Sequence, residues 1–214
     1  MNRITFHLGI ERYPSYTRKQ RIFTYLYNFR FISRIVRNSL KRAYNLDESV
    51  AIDRGFHSDT RYLYVGKRTG LSNLWIHSPG EVIIGHDCSF SRGCLIITGS
   101  HDLIDFNLAI LKTVKIEDFV WIATGSTILQ GSVIGRGAVV SAFSVVNVNI
   151  PPYAIVAGNP CKIIGFRYTP EDALEFEKQH YPENERIPIE KLQKNYEKYF
   201  LNRIKEIKKF VSIT

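Results

Sequence analysis

The sequence predicts a mainly β fold, a solenoid of short parallel strands with helical segments before and after it. The strongest indication is an aliphatic residue at every sixth position, at Ile116, Ile122, Ile128, Ile134, Val140 and Val146. A second recurring position, often occupied by a small residue, lies four residues after each of these, at Val120, Ser126, Ser132, Ala138, Ser144 and Ile150. Repeats of fixed length stack on their neighbours to bury their apolar faces, and this period fits three short strands per coil. A helix would instead show a period of about 3.6, and a sandwich of ordinary strands would alternate with a period of about two.

The same period extends towards the N-terminus and then breaks. It is kept by Ile84, Phe90 and Ile96, with Cys88, Cys94 and Ser100 at the second position. Ile116 follows Ile96 by 20 residues, three steps of six plus two, so TGSHDLIDFNLAILKT should leave the coil as a projecting loop at about residues 98–115. Val65 and Leu71 indicate an earlier piece of the repeat, joined with a one-residue slip. We therefore expect a solenoid over residues 61–165, with corners at Gly125, Gly131, Gly135 and Gly137, where a side chain would obstruct the turn.

Length and composition agree with one main domain. The chain has 214 residues, of which 44% are hydrophobic and 13% aromatic, as is ordinary for a globular protein with a substantial core. No stretch approaches the ~20 apolar residues of a membrane span, and the first residues lack the apolar core of a secretory signal. The three cysteines, two of them at inward repeat positions, indicate reduced core thiols. We expect a cytoplasmic protein.

The N-terminal segment, residues 1–60, is basic and partly helical in this interpretation. Residues 11–44 contain Glu11 as their single acidic residue and nine basic ones: Arg12, Arg18, Lys19, Arg21, Arg30, Arg34, Arg37, Lys41 and Arg42. Apolar residues at spacings of three to four indicate one or two amphipathic helices. Their charge could attract an anionic polysaccharide, CoA phosphates or the inner face of a membrane, or the segment could simply cap the open end of the solenoid. No nucleic-acid-binding motif accompanies the charge.

The C-terminal segment, residues 166–214, is predicted to be helical. Thr169 is typical of an N-cap, Pro170 of a first helical position, and the helix should run to about His180. A second helix should begin near Pro188, with a stripe of apolar residues at Leu192, Tyr196, Phe200, Ile204 and Ile207. We expect these helices to pack on the solenoid or on a neighbouring subunit.

Three stretches in the order TGSHD, VWI and AGNPCK, within residues 82–165, resemble the hexapeptide-repeat acyltransferases. The similarity is to the branch that contains galactoside, maltose, nodulation-factor, virginiamycin and surface-polysaccharide O-acetyltransferases. It implies a left-handed parallel β-helix, acetyl-CoA as co-substrate, and a homotrimer whose active sites are shared between neighbouring subunits.

His101 is the predicted catalytic residue. It lies where the repeat breaks, in a polar SHD context. Histidine titrates near pH 6.5 when unperturbed, so its neutral form is available at pH 7 as a general base. The family's catalytic histidine falls on this position. By the same resemblance, a hydroxyl deprotonated by His101 attacks the thioester directly, the Thr124 backbone N–H stabilises the oxyanion, and Trp121 lines the pocket.

The resemblance also implies where CoA binds. Its contacts would be the turns Ala123 to Gly125 and Ser141 to Ala142, together with Lys162 of AGNPCK. The chain departs from the family in two places. Relatives commonly read SVVTKD where this chain has Ser144 to Asn149, which leaves Asn147 as a substitute, and a basic residue often found three positions after Lys162 is Gly165 here, with Arg167 as a candidate replacement.

The acceptor is not fixed by the sequence. Some relatives have a sugar-binding acidic residue where this chain has His77 to Gly80, and we name Asn73 and Asp102 as candidate hydroxyl-binding groups. The basic N-terminal segment favours an acidic glycan such as capsular polysaccharide, polysialic acid or O-antigen. An N-acetyltransferase acting on a nucleotide-linked amino sugar and a xenobiotic acetyltransferase are the enzymatic alternatives.

Two further classes of protein compete with this interpretation. A γ-carbonic anhydrase needs three histidines around zinc, whereas Phe106 stands five residues after His101, so no metal site is expected. A scaffold that binds a polyanion or a membrane without catalysis would leave His101 dispensable.

Overall fold

The computed structural model describes residues 3–7 and 16–205. Residues 11–15 of the basic segment, including Glu11 and Arg12, and Ile207 of the C-terminal stripe lie outside the described residues. The helices are α1 (Arg18–Tyr27), α2 (Ser33–Ala43), α3 (Pro170–His180) and α4 (Ile189–Tyr196), with a 3-10 turn at Glu183–Glu185 and a π-helical turn at Glu197–Leu201. The strands are β1 (Arg3–His7), β2 (Ala51–Ile52), β3 (His57–Ser58), β4 (Leu63–Val65), β5 (Gly70–Ser72), β6 (Trp75–His77), β7 (Val82–Ile84), β8 (Ser89–Phe90), β9 (Leu95–Ile97), β10 (Gly99–His101), β11 (Leu108–Lys112), β12 (Val114–Ile116), β13 (Trp121–Ile122), β14 (Thr127–Ile128), β15 (Val133–Ile134), β16 (Val139–Val140), β17 (Val145–Val146), β18 (Ala154–Ala157) and β19 (Lys162–Phe166).

The strands coil into three parallel sheets, as the period of six predicts. Sheet I has the order β4-β7-β12-β15, sheet II has β2-β5-β8-β13-β16-β18, and sheet III has β3-β6-β9-β14-β17. β19 adds to sheet II in the antiparallel direction. Ile116 pairs with Ile134 and Ile122 with Val140, so residues one coil apart are 18 positions apart in sequence. This is three repeats of six, and it confirms the mainly β solenoid.

Both recurring positions point into the core. The aliphatic anchors from Ile116 to Val146 are fully buried, and so are Ser126, Ser132, Ala138 and Ser144 at the second position. The buried hydroxyls are satisfied by the backbone, as when Ser126 Oγ donates to Ser141 O at 2.9 Å. Small side chains are needed here because each one lies directly inside a corner of the coil.

The corners explain why glycine recurs. Gly125, Gly131 and Gly137 have φ of 70°, 82° and 66°, and each is the third residue of a turn in which the fourth residue's N–H donates to the first residue's carbonyl. This is the geometry of a type II turn, which favours glycine at its third position. Gly135 has no positive φ, but a Cβ there would lie 2.6 Å from the Pro152 backbone nitrogen.

The solenoid begins earlier than residue 61, the boundary that the sequence predicts. β2 pairs with β5 and β3 with β6, so the coil includes Ala51 onwards. The inward residue of β3 is the buried Ser58, which is polar and therefore does not extend the aliphatic pattern. Val65 pairs with Ile84 and Leu71 is fully buried, which places the earlier repeat where the sequence predicts it.

The projecting segment 98–115 is an antiparallel hairpin and not an irregular loop. β10 pairs with β11, and β1 from the N-terminus adds a third strand. β1 lies within the region that the sequence predicts as basic and partly helical. The strand is missed because its partner is about 100 residues away in the sequence, so the pairing leaves no local signal. Ala109, Ile110 and Leu111 are buried by this arrangement, which explains the apolar run in a segment outside the repeat.

The helices α1 and α2 cover the first coil. Tyr27 and Leu40 are buried in the same core cluster as Val50 and Ile52, and Tyr27 Oη donates to Ile52 O at 2.8 Å. At the other end, the Thr169 hydroxyl accepts from Asp172 N at the start of α3, which ends at His180 as predicted. No helix in the described ranges is long and apolar enough to cross a membrane.

Candidate active site

The predicted site residues lie at the corners between the sheets. We call the turn between sheets II and III in the coil of β13 and β14, residues 123–126, the Thr124 corner, and its successor one coil later, residues 141–144, the Ala142 corner. The turn from sheet III to sheet I, from which the hairpin leaves after β9, is the His101 corner. The structure brings Trp121, Ala123, Thr124 and Gly125 together at the first of these.

The Thr124 corner presents a free backbone N–H. Ser126 N donates to Ala123 O at 3.3 Å, which closes the turn, and Gly125 N donates to Arg92 O at 3.1 Å. The Ala123 amide is also used, since it donates to Val140 O at 2.9 Å. By contrast, the Thr124 N–H has no hydrogen-bond partner among the described residues. A fixed, unpaired donor on a rigid turn is what an oxyanion needs.

Phe143 also contributes to this corner, although the motifs do not include it. Its ring lies against Gly125, where a Cβ would meet Phe143 Cδ1 at 2.6 Å, yet 74% of the residue is exposed. A signal for it existed, because Phe143 occupies the turn position held by Gly125 one coil earlier. Trp121 is 49% exposed on the outer face of sheet II, with Nε1 at 3.5 Å from Ser91 Oγ. The corner is thus flanked by two exposed aromatic rings.

His101 lies on β10, at the base of the hairpin. Its Nδ1 is 2.9 Å from Phe106 O, and the two rings are stacked with centroids 6.0 Å apart. A carbonyl oxygen only accepts, so Nδ1 carries the proton in the neutral ring and Nε2 holds the lone pair. Nε2 forms no hydrogen bond with any residue that the structure describes. Gln130 donates to Ser100 Oγ and ties the hairpin to the coil beside His101.

The two candidate hydroxyl-binding residues lie apart and have structural hydrogen bonds. Asp102 accepts from Ile104 N at 2.9 Å and from Asp105 N at 3.1 Å, and these backbone donors hold the pKa of its carboxyl below the usual value. Asn73 is at the corner between sheets II and III, where its Oδ1 accepts from Gly93 N at 2.9 Å. Asp102 therefore lies with His101, whereas Asn73 lies on the side of the Thr124 corner.

His101 and Thr124 are at opposite ends of sheet III within one chain. The hairpin leaves after β9, whereas the Thr124 corner leads into β14, and these strands are paired in register. The two corners are separated by the length of a sheet III strand, which for residues 94 to 98 is four residues, or about 13 Å. A single chain therefore does not place the His101 imidazole beside the Thr124 amide.

The predicted CoA contacts are also divided. Ser141 and Ala142 continue the line of the Thr124 corner, and the Ala142 N–H, like that of Thr124, has no partner in the described part of the chain. Lys162 is exposed and pairs with Ala157, next to the row of corners formed by the Thr124 and Ala142 corners. Asn147 follows β17, beyond sheet III, and its side chain is exposed.

Arg167 is not brought together with Lys162. It lies at the far end of β19, where its guanidinium donates to Gly137 O at 3.0 Å and Phe119 O at 3.2 Å. These carbonyls belong to the corner between sheets I and II. The guanidinium therefore stabilises a different corner and does not replace the basic residue that Gly165 lacks.

A charged cluster on sheet III was not identified from the sequence. Asp59 Oδ1 is 2.9 Å from His57 Nε2, and Asp59 Oδ2 is 3.2 Å from His77 Nδ1. Partial burial would raise the pKa of Asp59, but hydrogen bonds from His57 and from Ser78 N hold it below its usual value. His57 and Asp59 are two positions apart, but His77 comes from the next strand of sheet III, 18 positions after Asp59, so only the coil register reveals the cluster. Within residues 3–7 and 16–205, no group of three or more His, Cys, Asp or Glu side chains could hold a metal ion.

Comparisons with known proteins agree with this fold. The model of the bacterial transferase hexapeptide family (six repeats) matches residues 113–148. A hexapeptide-repeat-containing acetyltransferase from Vibrio cholerae, solved with acetyl coenzyme A, superposes with a TM-score of 0.65 at 25% identity, over 70% of this chain and 86% of that one. A maltose O-acetyltransferase from Clostridium difficile, at 24% identity and a TM-score of 0.62, shares the fold over 69% of this chain and 83% of its own.

A sequence relative covers less. The galactoside O-acetyltransferase of Lactococcus lactis is 30% identical over 95 residues, which are 42% of this chain and 46% of that protein. The chain spans about half the length of the curated relatives that it matches. The fold and the corner geometry define a left-handed β-helix protein of the hexapeptide type. Its residues 113–148 match the hexapeptide transferase model, and its fold is similar to that of a hexapeptide-repeat acetyltransferase.

Proposed function

We propose that this protein is an acetyl-CoA-dependent O-acetyltransferase that modifies a hydroxyl of a bacterial surface glycan. The observation that carries the proposal is the state of His101. Its Nδ1 donates to Phe106 O at 2.9 Å, which leaves Nε2 of this exposed residue as a base without a partner among the described residues. The acetyltransferase family and the sugar-modifying relatives named above supply the reaction class.

His101 acts as the general base. Its Nε2 removes the proton of the acceptor hydroxyl, and the resulting oxygen attacks the thioester carbonyl without an acyl-enzyme. The Thr124 N–H donates to the oxygen that becomes negative, and Trp121 shields the reacting atoms from water. The protonated imidazole keeps its Nδ1 bond to Phe106 O, since that nitrogen is a donor in both protonation states. When the C–S bond breaks, the CoA sulfur takes the proton from His101 Nε2 and leaves as the thiol, which restores the base.

The proposed assembly is a homotrimer in which His101 of one subunit meets the Thr124 corner of its neighbour. The separation of about 13 Å across sheet III supports it, because the two groups need a second copy to complete the site. CoA would then lie between the subunits, along Ala123 to Gly125 and Ser141 to Ala142.

The acceptor we favour is an acidic glycan, namely capsular polysaccharide, polysialic acid or O-antigen. Residues 16–44 contain eight basic residues and no acidic one, so their surface attracts polyanions. The cluster of His57 and His77 lies on sheet III, which also leads to the His101 corner, and adds groups that can bind hydroxyl or carboxylate oxygens.

The first test is the rate of CoA release from acetyl-CoA in the presence of acidic and neutral polysaccharides. His101→Ala should lower kcat by about 10²- to 10⁴-fold, the usual contribution of a general base. Equal rates for the wild type and His101→Ala would remove His101 as the base. Use of amines in preference to hydroxyls would favour the N-acetyltransferase alternative.

The oxyanion donor has its own test. Proline is favoured at the second position of a type II turn, so Thr124→Pro should fold normally while removing only the N–H. It should lower kcat by about 10²- to 10³-fold, whereas the matched variant Thr124→Ala should keep near-normal activity. Equal activities of the two variants would exclude the Thr124 amide.

Mixing experiments test the shared site. When His101→Ala and Thr124→Pro chains are refolded together, some subunit interfaces contain both intact groups, so activity should reappear. A site within one chain would predict no recovery in any mixture.

We further propose that residues 16–44 contact the inner face of the membrane from the cytoplasm. Phe31 and Ile35 are 92% and 78% exposed, beside the exposed Arg30 and Arg34. Apolar residues flanked by cations suit an anionic bilayer surface. The wild type should sediment with phosphatidylglycerol vesicles and not with phosphatidylcholine vesicles, and the double variant Phe31→Ser, Ile35→Ser should lose this binding. Leu103→Ser, an equally exposed site on the hairpin, is the control and should have no effect.

A further inference from the structure

A cavity of about 530 Å³ lies at the C-terminal end of the solenoid, between the last coil and the C-terminal helix. The coil side contributes Asn149 and Lys162, and the helix side contributes Lys198, Asn202 and Arg203. It therefore adjoins the one basic residue, Lys162, to which the family resemblance assigns CoA binding.

The cavity is cationic. Lys162, Lys198 and Arg203 all line it, and among residues 3–7 and 16–205 no Asp or Glu does. None of the three forms an ion pair with a residue in the described ranges. Asn149 Oδ1 accepts from Val133 N at 3.0 Å, so its amide nitrogen is left as a donor. Such a set of donors fits a phosphorylated ligand.

The helix is held so that its basic residues line this cavity. The Tyr196 ring packs against Phe166 of β19 with centroids 5.4 Å apart, and Arg203 donates to Ile163 O. Lys198 and Asn202 are four positions apart, as are Tyr199 and Arg203, so each pair lies on one side of the helix. The π-helical turn at Glu197–Leu201 lies within this stretch, and such turns are frequent at functional sites.

The coil itself supplies too few cations for CoA. Asn147 and Val148 stand where relatives commonly have Thr and Lys, Gly165 replaces a basic residue, and Arg167 is engaged at another corner. We propose that Lys198 and Arg203 of the C-terminal helix, together with Lys162, bind the phosphate groups of CoA. This inference rests on the proposed function, and it assigns to the C-terminal extension a role in the co-substrate site.

The test is CoA binding by calorimetry, without acceptor. The double variant Lys198→Ala, Arg203→Ala should weaken CoA binding by about 10- to 100-fold, since charge-assisted hydrogen bonds to phosphate are lost. The conservative pair Lys198→Arg, Arg203→Lys should recover most of the affinity. Lys194→Ala, on the same helix but outside the cavity, is the matched control and should bind as the wild type does.

Two readouts separate this role from a structural one. The KM for acetyl-CoA should rise in the double variant while kcat and the KM for the glycan stay within about twofold, and raising the salt concentration should reduce the difference between variant and wild type. Pantetheine analogues without phosphate should bind wild type and variant equally. Unchanged CoA affinity in a variant that retains the wild-type Tm would overturn the inference alone. Failure of the wild type to bind CoA would overturn the proposed function as well.

Discussion

Glu177→Ala should destabilise the protein strongly because it removes the centre of a buried polar network. Glu177 lies on α3 with its side chain 0% exposed, and it accepts from Arg136 Nη1 at 2.6 Å, from Tyr153 Oη and from Ile187 N at 3.1 Å. The Arg136 guanidinium also stacks on the Tyr181 ring at 3.4 Å. Burial and the adjacent Glu177 carboxylate raise the pKa of Tyr153, which keeps its hydroxyl a donor at every pH of interest.

The magnitude follows from what the variant leaves behind. Truncation removes the carboxylate acceptor of a buried hydroxyl, a buried backbone N–H and a largely buried guanidinium, which keeps only the Glu185 carbonyl at 3.2 Å. Removing one partner of a buried ion pair costs about 3–5 kcal/mol. In a protein of this size, each kcal/mol lowers Tm by about 2–4 °C, so a fall of about 6–20 °C is expected.

Thermal and urea unfolding followed by circular dichroism would measure this effect. Glu175→Ala on the same helix is the control, because Glu175 pairs with Lys178 at 3.5 Å and both side chains are more than half exposed. Exposed pairs contribute about 0–1 kcal/mol, so this variant should unfold close to the wild type. A loss below about 1 kcal/mol for Glu177→Ala would refute the view that the network holds α3 on the coil.

Three further outcomes are expected. The hydrogen bond from Arg68 holds the pKa of the Asp87 carboxyl below its usual value, so Asp87→Asn should lower the free energy of unfolding at pH 7. The difference in this free energy between variant and wild type should disappear as acid titration takes the pH below about 4. Gly135→Ala should destabilise by several kcal/mol in urea titrations because its Cβ would enter the backbone of the next coil, whereas Gly70→Ala, which meets nothing within 4 Å, should be close to neutral. Burial raises the pKa of Cys88 to about 12, and all three cysteines are buried. A thiol reagent at pH 8 should therefore label the native protein far more slowly than the urea-unfolded chain, and fast labelling of the native protein would contradict the packed solenoid.

The solenoid was predictable because its signal is local and repeated. Each turn places an aliphatic residue and a small residue inward at fixed spacing, so Ile116 to Val146 specify strands, coil length and register together. The hairpin strand β1 and the early start at Ala51 were not predictable on this basis. β1 pairs with Leu108–Lys112, which is about 100 residues away in the sequence, so no local pattern marks it. The inward residue of β3 is a serine, so this strand does not show the aliphatic repeat.

The candidate site was predictable only in parts. The positions of His101 and Thr124 come from motifs, but the bond from His101 to Phe106 O and the free Thr124 amide are properties of the hairpin and of the turn. The role of Arg167 could not be read from its sequence position, because β19 runs antiparallel and carries it away from Lys162. The approach of Lys198 to Lys162 depends on how a helix docks, which spacing does not encode.

The repeat also explains why the proposed chemistry is placed where the repeat is broken. The Thr124 and Ala142 corners both have an N–H with no partner in the described ranges, so the coil alone does not distinguish them. They differ in their side chains, since Trp121 pairs with Val139 one coil later and Gly125 is succeeded by Phe143. Of these two corners, the Thr124 corner has both the exposed Trp121 ring and a glycine, against which the Phe143 ring packs. A regular coil provides identical donors at every turn, and its irregular residues determine which donor is used.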